Sequence, residues 1–117
     1  MRYSFFLGKT RLSVNLVETG FFRRGVGLMF RTRNTENLLF SFKFEGNEGR
    51  QLTAMFVFFP FVVVWLDKRR RVVDVRRVLP WEPYIHTKKN FRSILEFPEN
   101  VPNKQIIGFL RRKIRKV

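Results

Sequence analysis

The chain has 117 residues, with 24 Lys and Arg against 9 Asp and Glu, a single His, no Cys and 15 Phe, for a formal charge of +15. That length supports one domain with a real core, and a content of 44% hydrophobic and 16% aromatic residues is too apolar for a disordered basic tail. The absence of Cys excludes a disulfide framework and thiolate metal sites, and one His cannot furnish a zinc shell.

The amino terminus opens on a charge and a brief apolar patch without a small-residue cleavage site, so a cytoplasmic protein is expected. Residues 3–7 and 12–16 read as strands: Leu12, Val14 and Leu16 alternate with Arg11, Ser13 and Asn15, and Gly8-Lys9-Thr10 supplies the hairpin turn. A short helix is expected from Phe22, with Val26 and Met29 on one face and Thr19 as its cap, weakened by Gly25 and Gly27. Leu38, Phe40, Phe42 and Phe44 alternate with Leu39, Ser41 and Lys43, the pattern of a half-buried strand. After a turn over residues 45–50, residues 52–59 are apolar at both alternating sets, which predicts a strand buried on both faces. The apolar run 54–66 is broken by Pro60 and falls short of the ~20 residues a membrane helix needs, so no transmembrane segment is expected.

Residues 62–67 and 71–79 predict a β-hairpin with Lys68-Arg69-Arg70 at its tip, the first strand being strongly β through Val62, Val63, Val64 and Trp65. Pro80 and Pro83 mark residues 80–91 as a loop, and residues 91–97 read as a strand ended by Pro98. Residues 102–107 predict one helical turn. The last stretch, 109–117, predicts a basic strand or tail appended to a single β-rich domain over residues 1–108. The fold class expected is mainly β (β-rich α+β): a compact antiparallel sheet or partly closed barrel with one or two short helices.

Several strings in this order carry a family pattern: Gly27-Leu28-Met29-Phe30-Arg31, Leu38-Leu39-Phe40-Ser41-Phe42, Phe59-Pro60-Phe61-Val62-Val63-Val64-Trp65-Leu66-Asp67, Arg71-Val72-Val73-Asp74-Val75, Pro80-Trp81 and Ile94-Leu95-Glu96-Phe97-Pro98. Together they resemble domain-of-unknown-function family 192, over about residues 12–108. The resemblance implies a compact β-rich domain found in bacteria and archaea, with no established activity. Asp67, Asp74 and Glu96 match acidic positions of that pattern. The chain departs from it at Val62, where the family has Asp, in the hairpin turn, where arginines replace a glycine, and at Gly108-Phe109, where the family has Gly-Asp.

Catalytic chemistry finds little support. His86 is the only imidazole, and no carboxylate lies closer in sequence than Glu82. Asp67 and Asp74 flank the hairpin as a cation-binding pair or, more simply, as charge partners of the surrounding arginines. Gly25-Val26-Gly27 lacks the third glycine of a phosphate-cradling loop. No catalytic residue, cofactor or metal site is therefore expected.

The basic clusters say more. Lys68, Arg69, Arg70, Arg71, Arg76 and Arg77 form one, Lys88, Lys89 and Arg92 a second, and Arg111, Arg112, Lys113, Arg115 and Lys116 a third. Pairing every acid with one base still leaves 15 cations whose mutual repulsion opposes the compact state. Arginine outnumbers lysine 16 to 8, and its planar fork bonds phosphate oxygens in pairs and stacks on bases. Trp81 and Tyr84, in a Pro-bounded loop among charges, are candidates for base stacking. With no recognised reading head, the expectation is a non-enzymatic RNA-binding protein, a ribosomal or ribosome-associated component held by ribosomal RNA phosphates and neighbouring ribosomal proteins. Two alternatives stand beside it. One is a small-ligand or saccharide-binding domain whose pocket is lined by residues 27–31 and Pro80-Trp81; the other is peripheral attachment to an anionic membrane.

Overall fold

The computed structural model describes residues 1–19 and 28–113, the side chain of Lys113 excepted. Seven strands and one helix follow in the order β1 (Arg2–Leu7), β2 (Thr10–Asn15), β3 (Val17–Glu18), β4 (Leu38–Gly46), β5 (Phe61–Leu66), β6 (Val72–Val78), β7 (Phe91–Pro98) and α1 (Lys104–Lys113). The helix expected from Phe22 and the Gly25-Val26-Gly27 turn lie outside the described residues.

β1 and β2 form the expected hairpin, Tyr3 opposite Val14 and Leu7 opposite Thr10, around Gly8 at φ +61°. The remaining strands make a five-stranded sheet in the order β3-β4-β7-β5-β6. It is antiparallel except for the β3–β4 pair, which is parallel. An isolated bridge between Phe6 and Arg71, with the Phe6 amide donating to the Arg70 carbonyl at 2.8 Å, ties the hairpin to the edge strand β6. Two sheets and a helix thus make a strand-rich, partly closed architecture.

The alternation of β5 explains why the sheet carries a core on each side. Phe61, Val63 and Trp65 point into a first core with Phe40, Phe59, Ile85, Phe91 and Ile94. Val62, Val64 and Leu66 point into a second with Tyr3, Phe5, Leu95, Phe97, Ile107 and Leu110. Every residue of β5 is buried, as a β-branched run covered on both faces requires. The hairpin and α1 close the second core. The first is closed by two irregular segments, residues 52–59 and 79–87.

Two expectations require correction. Residues 52–59 are not a strand: Leu52 alone forms a bridge, with Ile85, and the Val57 amide turns back onto the Ala54 carbonyl at 3.0 Å. Leu52, Ala54, Val57 and Phe59 are buried because the segment caps the first core, and a capping loop is as apolar as a buried strand. Residues 109–113 are neither strand nor tail, since they complete α1. Ile107 and Leu110 are buried and Ile106 and Phe109 half-buried, a helical stripe laid on the second core, while the cations at Arg111 and Arg112 oppose the partial negative charge of the helix C-terminus. Asn103 fixes the entry to the helix by donating to the Pro98 carbonyl and to Asn37 Oδ1, both at 2.7 Å.

Candidate nucleic-acid interface

The β5–β6 turn is organised by one carboxylate. Asp67 Oδ1 accepts the amides of Arg69 and Arg71 at 2.8 and 2.9 Å, and Oδ2 accepts Arg71 Nε at 2.9 Å. Partial burial works against ionisation of Asp67, but the Arg71 and Arg69 amides and the Arg71 guanidinium outweigh it and hold the carboxyl below its ordinary value. Arg70 takes the left-handed conformation, φ +62°, and lays its guanidinium over the Tyr3 ring at 4.4 Å. Lys68 donates its amide to Glu45 Oε2 at 2.9 Å, which ties the tip to the end of β4. Lys68, Arg69, Arg70 and Arg71 are all exposed.

The second basic cluster arrives at the same end of the sheet. β7 begins at Phe91, opposite Gly46 of β4, and Ser93 is opposite Leu66 at the foot of the hairpin tip. Burial pushes the Tyr3 phenol upward against the pull of Arg70, of the Ser93 hydroxyl and of Arg92. Lys88 and Lys89 are exposed on the loop just before β7, where the Lys88 carbonyl accepts Asn47 Nδ2 at 2.8 Å and the Lys89 amide donates to Thr87 Oγ1 at 3.2 Å. Arg92 donates Nε to the Phe42 carbonyl at 3.2 Å and is also exposed.

The remaining predicted cations lie elsewhere. Arg76 and Arg77, adjacent on β6, point to opposite faces: Arg76 pairs with Glu82 at 2.6 Å and Arg77 with Glu99 at 2.6 Å. Glu99 also takes Arg111 of α1 at 3.2 Å. The hydrogen bond from Arg77 depresses the Glu99 carboxyl and raises the guanidinium, a mutual stabilisation of both charged forms. Arg112 is exposed on α1, and Lys113 is its last residue; Arg115 and Lys116 lie outside the described residues. Among the described residues Lys68, Arg69, Arg70, Lys88, Lys89 and Arg92 have no ion-pair partner.

The stacking candidates differ in setting. Tyr84, 53% exposed, rests on His86 with ring centroids 4.6 Å apart. Trp81, 42% exposed, belongs to a row of exposed rings with Phe30, Phe56 and Phe58, the last two within the segment expected to be buried on both faces. Phe30 and Trp81 are linked through Phe56 in this open row. Lys43 and Arg50 were also missed. Arg50 donates to the Gly46 and Phe91 carbonyls and stacks on Phe42 at 4.2 Å, bracing the bulge where β4 leaves β7.

The carboxylates considered for a cation are committed to the fold. Asp67 serves the turn, and Asp74 accepts the Val75 amide at 2.9 Å and Thr87 Oγ1 at 2.7 Å. Glu96 is buried on the first-core face of β7, near Arg31, and its Oε1 lacks a hydrogen-bond partner. Among the described residues no three His, Asp or Glu side chains gather to hold a metal ion, and no helix is long and apolar enough to cross a membrane.

A five-stranded sheet with a core on each face, a hairpin bridged to its edge and one short helix defines a small β-rich α+β domain. The chain belongs to domain-of-unknown-function family 192 (DUF192, "Uncharacterized ACR"), which it matches over residues 6–108. It is 32% identical over 85 residues to the UPF0127 protein PH1112 of Pyrococcus horikoshii, 73% of this chain and 72% of that one. A UPF0127 protein of Thermococcus gammatolerans is also 32% identical over 85 residues, and there the match spans only 54% of the relative's length. The fold is similar to that of a protein of unknown function from Novosphingobium aromaticivorans, with a TM-score of 0.65 at 17% identity, covering 94% of this chain and 74% of that one.

Proposed function

We propose that this protein binds RNA, as a component of a ribosome or a comparable ribonucleoprotein, and that the phosphates sit against the end of the sheet formed by the β5–β6 tip and the start of β7. The observation that carries the reading is the convergence of Lys68, Arg69, Arg70, Lys88, Lys89 and Arg92 at that end without ion-pair partners among the described residues. Side chains brought together by separate elements and left unneutralised repel one another, and a polyanion relieves that repulsion while releasing its own counterions. Arg69 and Arg70, held on a turn fixed by Asp67, present forked donors suited to phosphate oxygens. Arg76, Arg77 and Arg111 are already engaged by Glu82 and Glu99, and contribute field more than contacts.

Binding to purified ribosomal subunits and to protein-free ribosomal RNA, measured across salt concentration, tests this. Six phosphate contacts give a slope of log affinity against log salt of about −4 to −5, a loss of roughly 250- to 1,000-fold between about 50 and 200 mM. The variant combining Lys68→Ala, Arg69→Ala, Lys88→Ala and Lys89→Ala should make that slope shallower by about 3 and keep the unfolding temperature within a few degrees. A slope that is flat, or unaltered by the four substitutions, overturns the reading.

A further inference from the structure

Four aromatic side chains stand in water as a contiguous row. Phe30 is 72% exposed, Phe56 41%, Trp81 42% and Phe58 59%. Phe30 stacks on Phe56 with centroids 5.0 Å apart and planes 24° from parallel; Phe56 meets Trp81 at 4.9 Å, and Trp81 meets Phe58 edge-on at 5.6 Å. The core gains little from rings in this position. Their buried neighbours Ala54, Val57 and Phe59 already seal the first core beneath them.

The backbone makes the row more unusual. Of the four non-glycine residues with positive φ among the described residues, three are in it: Phe30 at +59°, Phe56 at +61° and Trp81 at +68°. A bulky side chain in the left-handed region crowds its own carbonyl, so these residues are held there by their surroundings. The holding bonds are explicit. The Phe30 amide donates to the Phe56 carbonyl, and the Trp81 amide to the Ala54 carbonyl, both at 2.9 Å. Three separate chain segments thus spend backbone strain and exposed apolar area on presenting rings to solvent, the pattern of a rigid, preformed contact surface.

Charge selects the occupant. With 24 cations against 9 anions, the chain favours a partner that is anionic as well as flat. The row lies at the end of β6 opposite the hairpin tip, since Trp81 follows Val78 while the tip precedes Val72, a separation of about 20 Å for a seven-residue strand. A flexible polyanion can span that distance and engage the aromatic row and the basic tip together. The loop over residues 79–90 returns along the same path, carrying Trp81, then Tyr84 on His86, then Lys88 and Lys89. We infer that Phe30, Phe56, Trp81 and Phe58 form a stacking platform for unpaired bases of single-stranded RNA. The inference rests on the RNA-binding reading and adds to it a second, sequence-tolerant contact whose strength comes from base faces and not from phosphate.

The experiment uses the full chain and an oligoadenylate of about twelve nucleotides. Trp65 is buried and Trp81 exposed, so oligoadenylate stacking should quench only the Trp81 part of the emission. Trp81→Ala and Phe58→Ala should each weaken oligoadenylate binding about 5- to 150-fold with the salt slope unchanged, and Trp81→Phe should restore most of it. Phe58 has no left-handed backbone to disturb, so Phe58→Ala keeps the test decisive if Trp81→Ala fails to fold. If Phe58→Ala leaves both quenching and affinity intact while salt-dependent binding to ribosomal RNA persists, the platform is wrong and the RNA reading stands. Loss of both kinds of binding in the wild-type chain sinks the RNA reading itself. Emission of Trp81 that shifts on phosphatidylglycerol vesicles and ignores oligoadenylate overturns the platform in favour of a lipid surface.

Discussion

Replacing Glu96 by Gln is expected to stabilise the protein, and by more as pH rises. Glu96 is 4% exposed, its Oε1 has no hydrogen-bond partner, and burial pushes its carboxyl from 4.5 up to about 8 against the opposing pull of Arg31. Between these values the folded protein retains a proton that the unfolded chain releases, so stability falls as pH rises through the interval. At ~1.36 kcal/mol per pH unit the loss amounts to about 3 kcal/mol by pH 7 and levels off near 5 kcal/mol above pH 8. Gln occupies nearly the same volume and carries no titrating proton, so its stability should not decline for this reason. Urea or thermal unfolding of the two proteins between about pH 5 and about pH 9 makes the comparison. They should agree within about 1 kcal/mol at the acid end, and Glu96→Gln should lead by several kcal/mol, upwards of about 10 °C in Tm, at the alkaline end. Parallel curves for the two proteins would refute the reasoning, because they would mean that Glu96 finds a charge partner or water that offsets its burial.

Asp67 makes the opposite prediction with respect to pH. Its carboxyl is held below the ordinary value, so its contribution is present at neutral pH and lost as acid protonates it; Asp67→Ala should cost about 1–3 kcal/mol at pH 7 and little near pH 2, read from unfolding curves at the two pH values. Glu99 pins Arg77 of β6 and Arg111 of α1 to one carboxylate at the end of the sheet away from the proposed phosphate site. Glu99→Gln should therefore lower stability by about 1 kcal/mol and leave the salt slope of RNA binding unaltered, although it makes the chain more basic.

The strands that the sequence made legible are those whose side chains alternate or branch at Cβ. β2 and β4 announce themselves by period two, β1 by the hairpin turn at Gly8 that joins it to β2, and β5 by Val62, Val63 and Val64 between two aromatic residues. The first turn of α1 fell within the helical turn expected over residues 102–107; its second half escaped because Gly108 and the run of cations mask a stripe of only a few apolar residues, and because its stability comes from tertiary packing against the second core more than from propensity. Residues 52–59 misled for the converse reason, since their apolar character serves a cap. The basic tip was visible as a string. Its meeting with Lys88, Lys89 and Arg92 was not, because it depends on β7 lying between β4 and β5, a pairing that joins residues far apart in the chain. Glu96 was legible only as a family position. Alternation would send it to solvent, and what buries it is a second layer over the opposite face of the sheet.

The double-sided burial of β5 has a consequence for how the molecule opens. Its alternate side chains belong to different cores, so neither core can loosen around β5 without exposing the strand that anchors the other. The hairpin β1–β2 buries Tyr3, Phe5 and Val14 in the second core and is tied to the main sheet by the Phe6–Arg71 bridge and by Arg70 over the Tyr3 ring, so it cannot lift away without opening that core. Hydrogen exchange should then show the paired amides of the hairpin, β5 and β7 as one cooperative unit that exchanges only when the whole domain unfolds.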